Sequence, residues 1–111
     1  MSMPPKIEMI KNFIEEVESY IPTLANGLES LQKNAAQSEA LEESHRLVHT
    51  IKGASSLVGL NGLSHIAFQM EEYLEDIVEG KQEFSDQAFN TMQKTVELFR
   101  QYCLGYMNGG V

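Results

Sequence analysis

Cysteine, proline and basic side chains are scarce in this 111-residue chain, and each shortage excludes something. Cys103 is the only cysteine, so no intramolecular disulfide and no cysteine-based zinc site can form. A reducing, cytoplasmic setting fits that count. Eight Lys and Arg stand against sixteen Asp and Glu, a formal net charge of -8. Such a surface repels phosphate-rich partners, so neither nucleic acid nor an anionic membrane is expected to bind. The longest stretch without a charged residue runs from Gly53 to Met70, and half of it is Gly, Ser, Asn, His or Gln, which argues against a membrane span. The start MSMPPKIEMI lacks the basic opening and apolar run of a signal peptide. Sustained alternation of apolar and polar residues is also missing, as are internal repeats and a Gly-rich phosphate loop. The folds that usually house nucleotide chemistry are thereby excluded.

What is present is helical periodicity. Ile10, Phe13, Ile14, Val17, Ile21, Leu24, Leu28 and Leu31 recur at three- and four-residue spacing behind Pro5, which suits a first turn. Pro22 interrupts the stripe without shifting its phase, which predicts one helix kinked there rather than two. Asn34 to Ser38 reads as a connection. A second helix, from about Glu39 to Val58, carries Leu41, Ser44, Val48, Ile51, Ser55 and Val58 on its inner face. Gly59, Asn61 and Gly62 mark a turn, with Asn61 as a candidate cap for the third helix. That helix places Leu63, Ile66, Ala67, Met70, Tyr73, Leu74 and Ile77 inward and stops at Gly80. Ser85 is the predicted cap of a fourth helix with Phe89, Met92, Val96, Phe99 and Cys103 inside. The expected fold is all-α, an antiparallel four-helix bundle with one core over residues 5–104, followed by a flexible tail over 105–111.

His49 stands out on this framework. At about 100° per residue it points roughly 155° from the middle of the second helix's apolar stripe, so it faces solvent. Arg46 and Lys52 flank it and are the only Arg or Lys between Asn34 and Gly80. Positive charge gathered around one exposed imidazole in an acidic protein suits a dianionic group on that ring. Gly53, one turn on, costs a helix about 1 kcal/mol relative to alanine, and close approach of another molecule would account for it. On their own, these residues are better explained as a surface histidine beside chance basic neighbours. His45 lies one turn before His49, but no H-E-x-x-H motif exists and the basic neighbours disfavour a cation, so no metal site is expected. Phe68 projects from the third helix away from its core stripe and is a candidate docking contact.

The run His49-Thr50-Ile51-Lys52-Gly53 followed by Gly59 matches the H-x-x-K-G-x-x-x-x-x-G signature of histidine phosphotransfer (HPt) domains. The longer segment HRLVHTIKGASSLVGLNGLSHIAFQMEEYLEDI most resembles the N-terminal phosphotransfer domain of chemotaxis-type (CheA-class) histidine kinases. The likeness extends over about residues 7–104. It implies that His49 is phosphorylated, that Lys52 neutralises the phosphoryl charge, and that Gly53 leaves room for the incoming active site. It also implies that Glu71 holds the imidazole through Nδ1, leaving Nε2 as the nucleophile. Arg46, Ser56 and Phe68 are the candidate docking residues. The resemblance implies a phosphoryl carrier in a two-component phosphorelay, without its own ATP site, either free-standing or a piece of a larger histidine kinase. Its partners would be a response-regulator receiver domain, which supplies Mg²⁺ during transfer, and a kinase catalytic domain. The chain itself is expected to be monomeric and to hold no cofactor. Two rival readings are a bundle adaptor that does no phosphotransfer and a metal-binding bundle using His45, His49 and nearby carboxylates.

Overall fold

Every residue of the predicted first stripe, from Ile10 to Leu31, is buried on one side of a single long helix. The structure is a computed structural model that describes residues 5–34 and 38–107. It contains α1 (Pro5–Lys33), α2 (Ser38–Leu57), α3 (Asn61–Val78) and α4 (Asp86–Met107). α1 runs through Pro22 as one helix, with the proline on its exposed side, where a missing backbone donor is least costly. Ala35 to Gln37, most of the expected first connection, and residues 108–111 of the expected tail lie outside the described residues. α4 itself continues to Met107, three residues past Leu104.

Short connections turn each helix back along its predecessor, giving an antiparallel bundle 52 Å long and about 20 Å across. α2 packs most closely against α3, and α1 against α4 and α2, while α3 and α4 are the loosest neighbours. The core runs the length of the bundle through Phe99, Ile14, Leu24, Leu28, Ile51, Leu63 and Leu74. Cys103 is fully buried in it, and burial, with a smaller contribution from Glu18, pushes its thiol up to about 11. A thiol held neutral and out of solvent is a packing residue rather than a reactive one.

Backbone chemistry sets the turns. Gly59 (φ +84°) follows α2, and there the Leu60 N–H reaches the Ser55 carbonyl (2.8 Å) while the Gly59 N–H reaches that of Ser56 (3.2 Å). The same paired closure recurs after α3 at Gly80 (φ +77°), with Lys81 N–H bonded to Asp76 O (2.8 Å) and Gly80 N–H to Ile77 O (3.1 Å). The second glycine of the signature thus ends α2. Ser85 caps α4 as predicted, its Oγ accepting from the Ala88 N–H at 3.1 Å. Asn61 does not cap α3. It is the first helical residue, the capping position belongs to Leu60, and no side chain bonds there. The sharp turn at Gly59 brings Leu60 into the core, so burial of its side chain decides where the helix begins.

Candidate functional site

The inner face of α2 is fully committed to the core, which leaves the opposite face to carry Arg46, His49, Lys52 and Gly53. The His49 side chain is 63% exposed. Glu71, from α3, is 8% exposed and lies beneath it. Its Oε2 accepts from His49 Nδ1, and its Oε1 accepts from Lys52 Nζ at 2.7 Å. One carboxylate therefore holds two α2 side chains. Burial by itself raises the Glu71 carboxyl, but hydrogen bonds from Lys52 and His49 outweigh it and keep the group below the usual carboxylate range. With Nδ1 engaged, Nε2 is the ring nitrogen available to an incoming group.

Lys52 is gripped at both ends. Its ammonium sits 5.7 Å from the centre of the Phe68 ring, besides its bond to Glu71. Its carbonyl accepts from Ser64 Oγ (3.2 Å) and from Ser55 Oγ (3.0 Å). Ser64, Phe68 and Glu71 follow one another at helical spacing along the edge of α3. Sequence reasoning missed Ser64 as part of the site, although the 64/68/71 spacing was a signal that could have found it.

The two flanking cations part company. The Arg46 guanidinium turns back along its own helix to Glu43, with Nη2 2.6 Å from Oε1, both side chains being exposed. The expected pool of free positive charge around His49 is thus neutralised in this state, Arg46 by Glu43 and Lys52 by Glu71. The docking candidates do not form one patch either. Ser56 and Phe68 line an open groove with Lys52, Gly53, Asn61, Ser64 and His65, whereas Arg46 borders a separate hollow with Glu39, Glu42 and Glu43. The reason is angular: Arg46 and Lys52 sit about 60° to either side of His49, toward different neighbouring helices.

Gly53 lies on the exposed side of α2, and a Cβ built there meets nothing within 4 Å. Gly27 is its opposite, because a Cβ there would stand 2.8 Å from Ser44 Oγ in the α1–α2 seam. His45 is half-buried, with its Nε2 enclosed and unbonded, while His65 is exposed beside Gln69. Among the described residues no three His, Cys, Asp or Glu side chains converge as metal ligands. No described helix is long and apolar enough to cross a membrane.

The sequence model of the Hpt domain matches residues 8–102. The chain belongs to the Hpt domain family. As an Hpt domain it is a histidine phosphotransfer module of two-component signalling, a phosphocarrier. It is 24% identical over 90 residues to the chemotaxis protein CheA of Halobacterium salinarum, covering 81% of this chain and 14% of that protein. It is 27% identical over 93 residues to the sensor histidine kinase CheAY of Helicobacter pylori, covering 84% of this chain and 12% of that one. The Hpt domain thus spans a small part of the length of these relatives. Its fold matches the CheA phosphotransferase domain from Thermotoga maritima with a TM-score of 0.83 at 21% identity, over 87% of this chain and 92% of that one.

Proposed function

We propose that His49 is the phosphorylated residue of this Hpt domain, and that Nε2 carries the phosphoryl group. The observation that supports this most is the buried Glu71 carboxylate bonded to Nδ1 of an otherwise solvent-facing ring. In the step proposed, the Nε2 lone pair attacks phosphorus and an N–P bond forms. The P–O bond to the donor breaks, and its electron pair leaves on the donor oxygen. The Nδ1 proton stays on the ring, so the ring becomes cationic, and Glu71 compensates that charge from below. Transfer onward reverses these changes, with an aspartate carboxylate of a receiver attacking phosphorus. Lys52, held on Glu71 beside the ring, meets the phosphoryl charge, and Gly53 clears the approach.

The donor's and acceptor's chemistry belongs to the partners: ATP and a catalytic domain in a kinase, an aspartate pocket with Mg²⁺ in a receiver. The carrier itself works as a cytoplasmic monomer built on residues 5–104 and binds no nucleic acid. It serves either alone or as one segment of a longer kinase. The test is to mix the chain with a phosphorylated receiver and look for acid-labile, base-stable phosphate on His49. Uptake on His45 or His65 in the His49→Gln variant, or no uptake by the parent from receiver or kinase, overturns the assignment.

A further inference from the structure

We infer that Phe68 is a positioning residue for phosphorylation, acting through Lys52, an inference that rests on the site proposed above. Phe68 is 43% exposed, and its ring is presented to the Lys52 ammonium rather than to the core. A lysine on an exposed helix face normally samples many rotamers. Here the Lys52 side chain is only 27% exposed, because α3 holds its ammonium at two points and its backbone at a third. Ser64 takes its carbonyl, Phe68 offers the negative face of its ring to the ammonium, and Glu71 accepts from the same ammonium. Of the three, Phe68 alone adds attraction for the cation without competing for a proton. Keeping the ammonium on Oε1 favours the ionised carboxylate, whose other oxygen holds Nδ1 of His49. Loss of the ring frees Lys52 to wander, and Glu71 then orients the imidazole less firmly. An exposed aromatic beside a transfer site also suits a docking contact, so the test must exclude docking.

The experiment follows phosphorylation of the isolated chain by phosphoramidate, a small donor that needs no docking surface. Phe68→Leu keeps an apolar side chain and removes the π face, and Phe68→Tyr keeps both. Phe68→Leu is expected to slow His49 phosphorylation by about two- to fivefold, the scale of an exposed cation–π contact, while Phe68→Tyr stays at the parent rate. In a Lys52→Met background, Phe68→Leu should have no further effect, since the cation it positions is gone. Nitrogen NMR of Lys52 in the same samples should show its ammonium signal averaged toward free lysine in Phe68→Leu alone. Equal slowing with and without Lys52, or a parent rate for Phe68→Leu, overturns the inference. A parent chain that phosphoramidate modifies at His49 but that takes no phosphate from receiver or kinase instead overturns the proposed function.

Discussion

Two glycines in the interiors of neighbouring helices do opposite jobs. At Gly27 of α1 the missing side chain lets α2 come close, with buried Ser44 filling the space. At Gly53 of α2 the missing side chain borders only open space, so the packing of the bundle gives it no reason to be glycine. The contrast extends to the whole of α2. Its inner face, through Ser44, Val48, Ile51 and Ser55, is tied to the core, whereas its outer face is free to be shaped by chemistry.

The largest expected effect separates those faces outright. His49→Gln should abolish phosphate uptake and leave the urea melt close to that of the parent, because the ring lies in solvent. A large loss of stability would mean that the outer face supports the fold after all.

Glu71→Gln comes next, since this side chain belongs to both worlds, buried yet bonded to the outer face. The amide still accepts a hydrogen bond but supports a cationic ring less well, and the rate of His49 phosphorylation should fall roughly tenfold, the scale of one charge-assisted bond. The same substitution has a pH signature. The Glu71 carboxyl is held below its ordinary range in the folded chain, so its contribution to stability is complete above the unfolded carboxylate range and fades as pH falls through the folded value. Acid unfolding curves of Glu71→Gln and parent should therefore converge at low pH and differ near neutrality. Curves that stay parallel throughout would mean that the Glu71 ion pairs add no stability to the fold.

The glycines themselves give smaller, opposite shifts. Gly27→Ala should destabilise by about 1 kcal/mol, because overpacking against Ser44 exceeds the gain in helix propensity. In a Ser44→Ala background the obstacle is gone and the penalty should vanish. Gly53→Ala should stabilise by roughly 0.5–1 kcal/mol. Gly53→Gln should also fold, yet accept phosphate from a receiver more slowly than Gly53→Ala. Urea melts and transfer rates on the same variants check all three, and equal transfer by both Gly53 variants would end the close-approach explanation.

Smallest of all is Arg46→Ala. Its exposed pair with Glu43 lies within one helix, so neither the melt nor phosphorylation by a small donor should change measurably. A marked fall in that rate would return Arg46 to the site.

Much of the bundle is legible in the sequence, because a helix that buries one stripe must repeat its apolar residues every three or four positions. The four stripes, the exposure of His49, the stops at Gly59 and Gly80 and the cap at Ser85 all follow from local rules of this kind. Asn61 failed as a cap because Leu60, one residue earlier, is drawn into the core. Gly27 passed unnoticed because its reason lies in another helix, in a serine seventeen positions away.

Periodicity also determined that Arg46, His49, Lys52 and Gly53 share the outward side of one helix. It could not decide which carboxylate each cation would meet. Arg46 has an acid one turn back along its own helix, within easy reach, and an exposed pair there orders little else. Lys52 turns instead to Glu71, which is folded into the α2–α3 seam and would be a costly buried charge without partners. That cost arises only once the two helices are packed, and it is what makes one carboxylate hold both the lysine and the imidazole.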